Sequence, residues 1–402
     1  MGIELKDIFD SFTKNNIFQN KSVLQANYNP ETIPHRDEQI RQIASILAPT
    51  LRLDKPSNLF IYGKTGTGKT LSVQYVCKKL LERAKQQNSN LYFFYINCKL
   101  KKVADTEYRI LAELLRQLKD PVPATGLPTD QVYRKFISNI DSEKKLIVVV
   151  LDEVDQVVKK IEDNFLYNLT RLNSELKNSQ LAIIGISNDL IFLDNIDPRV
   201  RSSLSEEEIV FPPYNALQIQ DILKERAKLA FKENVINEGV IEKCSAYAAR
   251  EHGDARRALD LLRIAGELAE REGKKEVSIG LIDFAKEKIE KDKIIEIIST
   301  QPKQFQLVLI SIMSLTDSKK NGKIFTGDIY NNYHNFCIQT GTGPLTQRRV
   351  GDIISEFDML GIINARVVSK GRYGRTKEIR LSIPSQLINR SKIIVKDSLG
   401  LR

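Results

Sequence analysis

The chain is poor in the residues that gather metals or staple loops. Its four cysteines (Cys77, Cys98, Cys244 and Cys337) stand far apart and none forms C-x-x-C. Its three histidines are just as scattered. That spacing argues against a zinc site and points to a reduced intracellular compartment. No apolar run reaches the ~20 residues that cross a bilayer. The opening stretch, MGIELKDIFDSF, carries acids and lacks the apolar block of a signal peptide. Internal repeats and low-complexity segments are missing as well. What remains is an ordinary globular composition, 42% hydrophobic over 402 residues. That is enough for two or three domains.

The strongest positive signal is Gly63 to Thr70, GKTGTGKT. Asn58–Tyr62 before it looks like a short buried strand, and Leu71–Leu81 after it like an amphipathic helix. Gly63, Gly68, Lys69 and Thr70 meet the pattern G-x-x-x-x-G-K-[ST]. Glycines let successive N–H groups curl around an anion without Cβ clashes. The helix that follows aims its positive end at the same anion. The whole loop is thus a nucleotide-binding candidate: Gly63, Lys64, Thr65, Gly66, Thr67, Gly68, Lys69 and Thr70. Lys69 would reach the β- and γ-phosphates, and the Thr70 hydroxyl would hold Mg²⁺.

A second segment must supply acid, and KLIVVVLDEVD (Lys145 to Asp155) does so. An apolar run ending abruptly in carboxylates is expected of a central parallel strand whose tip faces a ligand. Asp152 suits a Mg²⁺-coordinating acid, with Thr70 as its companion ligand. Glu153 suits the group that polarises an attacking water. Asp155 fits better as a support or a helix cap. Asn188, at the end of ISN, would orient that water or sense the γ-phosphate. Arg256, in the first turn of a helix that Asp254 can cap, would reach over the phosphates. A guanidinium suits this task because it stays charged and binds phosphate bidentately.

Net charge is +10, and its location says more than its size. From position 301 onward there are 16 basic and 7 acidic residues, which leaves 45 and 44 for the first 300. A basic module on a neutral body suggests a polyanionic partner.

Strands alternate with helices from residue 40 to 211, which predicts a parallel sheet covered on both faces. The predicted elements are helix 40–51, strand 59–62, helix 71–86, strand 91–97, helices 106–118 and 129–140, strand 146–151, helix 164–176 and strand 181–187. A short last strand at 209–211 precedes the break Phe211-Pro-Pro213. Four helices follow, 217–231, 239–250, 255–271 and 278–289, as a helical lid. The last segment predicts helices 305–314, 326–333 and 346–360, then strands 362–368 and 377–383. Three helices and a hairpin are the order of a winged helix-turn-helix. The expected fold is α/β: a P-loop core over 1–212, a lid over 213–295 and a winged-helix domain over 296–402.

GKTGTGKT, LDEVD, ISN and GDARRAL, in that order and before a helical lid, resemble the AAA+ ATPases. Their Walker A, Walker B, sensor-one and sensor-two roles map onto Lys69/Thr70, Asp152/Glu153, Asn188 and Arg256. The segment NPETIPHRDEQ (Asn29 to Gln39) narrows the match. It is similar to the box before the first helix in archaeal replication initiators of the origin-recognition and cell-division-control type. So are the lid helix GDARRALDLLRIAGELAER and the ending LTQRRVGDIISEFDMLGI. The resemblance runs from about residue 15 to 385. It implies ATP or ADP as ligand, and Pro34, His35 and Arg36 beside the adenine. Hydrolysis would be slow and act as a switch. Partners would be double-stranded DNA at a replication origin, the replicative helicase and paralogous initiator subunits. The protein would be cytoplasmic and nucleoid-associated. Clamp loaders carry a Ser-Arg pair where this chain has Ser202-Ser203, so Arg199 and Arg201 stand as candidate arginine fingers beside the reading of two surface arginines.

Gln347, Arg348 and Arg349 occupy the first turn of the candidate recognition helix, opposite its apolar stripe. A helix fits the B-DNA major groove, where Arg pairs with guanine and Gln with adenine. The wing tip offers Lys370, Arg372, Tyr373 and Arg375 for phosphates or a minor groove. The family's helical insertion between the second and third strands adds Lys101, Lys102 and Arg109. Two other functions compete. A clamp-loader-type ATPase shares core and lid but ends in an oligomerising collar, which the basic wing opposes. An ATP-gated transcription regulator is poorly separated by sequence from an initiator.

Overall fold

The computed structural model describes residues 16–99, 104–123, 125–161, 163–204, 206–318, 323–369 and 375–401. The chain divides into two compact units, one up to Ile282 and one from Asp283.

In the first unit, α1 (Asp37–Leu47) runs into a 3-10 turn, Ala48–Arg52, and then β1 (Asn58–Tyr62). Next come α2 (Lys69–Gln86), β2 (Leu91–Asn97), α3 (Glu107–Gln117), α4 (Thr129–Ile140) and β3 (Leu146–Asp152). They are followed by α5 (Val154–Ile161), α6 (Asn164–Arg171), β4 (Gln180–Ser187), α7 (Pro198–Leu204) and β5 (Glu206–Val210). The sheet order is β2-β3-β4-β1-β5, and all pairings are parallel. Every residue of β1 and β3 is buried, as expected of central parallel strands covered on both sides. One apolar layer packs Phe136, Phe165 and Leu166 against one face, and another packs Ile43, Val73 and Val76 against the other. The order has a consequence at the carboxyl edge. β4 lies between β1 and β3, and the register pairs Tyr62 with Ser187 and Asp152 with Ile186. The loop after β1, the acid tip of β3 and the end of β4 therefore meet at one place.

The lid comprises α8 (Ala216–Ala230), α9 (Val240–Arg250), α10 (Ala255–Arg271) and the start of α11 (Ile279–Ser299). Asn215 and Gln218 form a capping box at the start of α8. The N-terminal segment straps onto this lid. Phe18 pairs with Phe231, their rings 4.6 Å apart, and Gln19 N donates to the carbonyl of Ala230. Gly266 on α10 is small for this reason: a Cβ there would come within 2.5 Å of Phe18.

The second unit contains α12 (Lys303–Ser318), β6 (Ile324–Phe325), α13 (Thr326–Gln339), α14 (Gln347–Met359), β7 (Ile363–Ser369), β8 (Arg375–Leu381) and α15 (Ser385–Leu399). Strands β6, β8 and β7 form an antiparallel sheet in that order. Val350, Ile353, Ile354 and Phe357 on α14 are fully buried, so the predicted stripe faces the core. Thr346 caps this helix by accepting from Arg349 N at 3.3 Å, and Gly361 follows its end with φ +71°.

Several elements depart from the sequence expectation. α11 continues to Ser299 rather than stopping at Ile289, supported by i,i+4 pairs such as Glu287–Lys291 at 2.6 Å. α5 and α7 were not predicted; each is eight residues or fewer, too short for a clear period. α15 also lay beyond the predicted elements. It packs through Leu387, Ser391, Val395 and Leu399, a stripe at every fourth residue.

Candidate nucleotide site and nucleic-acid surface

The loop after β1 is shaped by its glycines. Gly66 and Gly68 have φ of +70° and +89°. At each, a side chain would also lack room: a Cβ on Gly66 would overlap Asp254 Oδ1, and one on Gly68 would lie 2.8 Å from the Tyr214 hydroxyl. The loop borders a cleft of about 550 Å³ that also includes Asp152, Glu153, Asn188 and Arg256.

Lys69 is 5% exposed and its Nζ donates to the carbonyls of Gly63 and Lys64 at 2.7 and 2.8 Å, and to Asn188 Oδ1 at 2.9 Å. Burial lowers its pKa to about 8, more than the nearby Asp152 restores, and Arg256 adds to the lowering. The Thr70 hydroxyl donates to Asp152 Oδ2 at 3.0 Å. Tyr95, on β2, donates its hydroxyl to the same oxygen. Burial, and then Asp152, push the Tyr95 pKa up, so the phenol stays a donor. Asp152 Oδ1 accepts from Glu153 N at 3.0 Å. Glu153 itself has φ +57°, an uncommon backbone conformation for this residue type, and its carboxylate lies 3.9 Å from Lys99. Asp155 turns away from the cleft, where it accepts from Ser187 and Gln156 at 3.1 and 2.7 Å.

Asp254 caps α10 by accepting from Arg256 N and Arg257 N at 2.9 and 3.3 Å. Arg256 is exposed and lines the cleft, whereas Arg257 is tied to Glu251 at 2.7 Å. A hydroxyl–carboxylate pair, a desolvated ammonium and glycine-turned amides form a donor set that fits a Mg²⁺-bound phosphate chain.

Two of the residues expected beside the base lie elsewhere. Pro34 lines the cleft, but His35 points to Asp221, 3.0 Å away. Arg36 is buried beneath the phosphate loop rather than beside the cleft. It donates to the carbonyls of Thr67 and Pro212 at 2.9 and 2.7 Å and stacks on Tyr214 at 3.7 Å. Its cationic fork braces the loop from behind. Tyr95, Tyr214 and Arg226 carried no motif and were not singled out.

In the second unit, Gln347, Arg348 and Arg349 are exposed on the first turn of α14. Arg349 lies 3.8 Å from both Asp352 and Glu356. Lys101, Lys102, Lys370, Arg372 and Tyr373 lie outside the described residues, as does the side chain of Arg375. Arg109 does not project as an uncommitted cation. It pairs with Asp105 at 3.3 Å, and Asp105 also holds Lys160 at 3.0 Å. The apolar residues of α3 pack into the core, as their spacing predicts. Arg199 and Arg201 pair with Asp197 and Asp194, each at 3.0 Å.

Core, lid and terminal three-stranded wing define an AAA+ ATPase-type protein with a winged-helix domain. Family models agree: residues 52–191 match an AAA domain, 220–287 the Cdc6 AAA+ ATPase-type lid domain and 296–391 the CDC6 C-terminal winged helix domain. An ORC1-type DNA replication protein of Pyrococcus furiosus is 51% identical over 391 residues, covering 96% of this chain and 92% of its own. One from Sulfurisphaera tokodaii is 49% identical, covering 98% and 97%. The structure of the Aeropyrum pernix ORC1 protein in complex with DNA is 41% identical with a TM-score of 0.85, covering 96% of this chain and 98% of that one. The chain belongs to the ORC1-type DNA replication protein family.

Proposed function

We propose that the protein binds duplex DNA at a replication origin under the control of bound ATP or ADP, and that it helps to recruit the replicative helicase. The observation that carries this reading is the pairing, in one chain, of the Lys69–Asp152–Asn188 cluster with a winged helix whose Arg348 is exposed. The relative from Aeropyrum pernix, solved in complex with DNA, supports it.

In this proposal Lys69 and the loop amides hold the phosphates, and Thr70 with Asp152 forms the Mg²⁺ locus. Mg²⁺·ATP, when bound, supplies the phosphoryl group to be cleaved and the neutralising charge. Glu153 takes a proton from the attacking water, Asn188 orients it, and Arg256 contributes positive charge from the lid. Pro34 contacts the base end, while His35 and Arg36 act by holding the loop and strap. Turnover is slow, and nucleotide state sets how firmly the chain holds DNA. Gln347, Arg348 and Arg349 read base edges; Arg372, Tyr373, Arg375 and Lys370 follow the backbone, with Lys101 and Lys102 as a further contact. The chain works beside paralogous initiator subunits, with the nucleotide-binding core ending near residue 212 and the reader beginning near 296.

A footprint on genomic DNA with ATP, with ADP and without either tests the reading. Protection of a discrete duplex site that changes with nucleotide supports it; no protection at physiological salt ends it. Retention of a helicase hexamer by the DNA-bound protein tests the recruiting role.

A further inference from the structure

We propose that the Tyr95 hydroxyl is a positioning group that selects the cation at the nucleotide site: it closes one oxygen of Asp152, so that the carboxylate offers a cation a single oxygen. This rests on the nucleotide reading above and gives a role to a residue that no motif assigns.

Three donors converge on Asp152: Oδ2 accepts from the hydroxyls of Thr70 and Tyr95, and Oδ1 accepts from Glu153 N. An ionised carboxylate has about four lone-pair sites, shared equally between its oxygens. Oδ2 is therefore filled, and Oδ1 keeps one site open. Thr70 and Tyr95 do not fill Oδ2 in the same way. A hydroxyl has one proton and two lone pairs, so Thr70 still has a lone pair for a cation while it donates to Asp152. Tyr95 reaches the same oxygen from the neighbouring strand and closes it from the other flank.

The phenol is firmly placed for this. β2 pairs with β3 so that Asn97 stands opposite Asp152, and Tyr95 lies two residues earlier on the same face. Its ring is half-buried against the apolar layer on that face. Gln117 of α3 donates to the Tyr95 carbonyl at 3.1 Å, which ties the strand backbone at this residue. Cations differ in what they require of a carboxylate. Mg²⁺ demands near-ideal octahedral geometry and keeps much of its water, whereas Ca²⁺ takes more oxygens and often both from one carboxylate. With Oδ2 closed, Asp152 suits Mg²⁺ and denies Ca²⁺ the chelating pair. Without the Tyr95 hydroxyl, Oδ2 regains a lone pair and the carboxylate loses one of its holds.

The test measures ADP binding to the full-length protein in Mg²⁺, in Ca²⁺ and in EDTA. The wild type is expected to bind more tightly in Mg²⁺ than in Ca²⁺. Tyr95→Phe keeps the ring and opens Oδ2, so it should lower that preference by about tenfold or more and leave binding in EDTA unchanged. Tyr92→Phe removes a hydroxyl from the opposite face of the same strand and should match the wild type in all three. An unchanged preference in Tyr95→Phe, or the same change in Tyr92→Phe, would overturn the assignment. So would equal losses in Mg²⁺, Ca²⁺ and EDTA, which mark a purely structural phenol. Wild-type protein that binds ADP without preferring Mg²⁺ removes the role of Tyr95 alone; wild-type protein that binds no ADP removes the nucleotide reading with it.

Discussion

The Thr70 hydroxyl donates to Asp152 Oδ2 at 3.0 Å, joining the first turn of α2 to the tip of β3 from positions 82 residues apart. Asp152 is thereby oriented from both flanks, because Tyr95 holds the same oxygen from the neighbouring strand. Asp152→Asn and Thr70→Ala should each weaken Mg²⁺-dependent nucleotide binding on the order of 10–100-fold. Binding measured in EDTA should change little. Titrations of each variant with and without Mg²⁺ give the comparison, and an unaltered metal dependence would remove both residues from the metal locus.

Lys69 yields a pH prediction. Its folded pKa of about 8 lies below its ordinary 10.5, so across that window the folded chain binds fewer protons than the unfolded one. Folding stability contributed by this group therefore rises as pH goes from about 8 to 10.5. A phosphate at Nζ favours the charged form and reverses the shift, so nucleotide binding takes up a proton and weakens as pH rises. Calorimetry at about pH 8.5 in two buffers of different ionisation enthalpy reads that proton. Identical heats in the two buffers would contradict the assignment.

Glu153→Gln should still bind ATP while turnover falls by about 10²-fold or more. The side chain is otherwise engaged only by Lys99 at 3.9 Å among the described residues, so the exchange costs little stability. Phosphate release under single-turnover conditions separates chemistry from binding; unimpaired release would take Glu153 out of its role.

Arg348→Ala should cost about 1–3 kcal/mol of specific duplex binding if the guanidinium reads a base. Arg349→Ala should cost less, since Arg349 is already shared between Asp352 and Glu356. Competition against non-specific duplex distinguishes the two effects. If Arg348→Ala weakens specific and non-specific DNA alike, its contact is to phosphate.

Phe357→Ala should destabilise the second unit by about 3–5 kcal/mol. Phe357 is fully buried and meets Phe305 edge-on, with centroids 5.8 Å apart. Denaturant unfolding of the full chain, followed through signals from each unit, should register an earlier transition for this unit.

How far the sequence could be read depended on where each residue finds its partner. The phosphate loop was legible because its glycines, lysine and threonine are consecutive and their geometry is local. The apolar stripe of α14 was legible because its period is local too. Arg36 was not, because Tyr214 and the Pro212 carbonyl come from far along the chain and draw it under the loop. Arg109 reads as a free cation in the sequence, whereas the fold pairs it with Asp105, which also holds Lys160. Tyr95 belongs to a strand whose aromatic residues all look alike in sequence; only the β2–β3 pairing sets its hydroxyl on Asp152.

By itself the sequence determined the kind and order of the main elements and the glycine-turned loop after β1, since hydrophobic period, capping residues and glycine placement act over a few neighbours. Strand order was decided only in three dimensions. Inserting β4 between β1 and β3 is what brings Asn188 to Lys69 and aligns Asp152 for Thr70. That arrangement depends on burying two apolar faces of one sheet at once, a condition set by the packed whole and by no local run of residues.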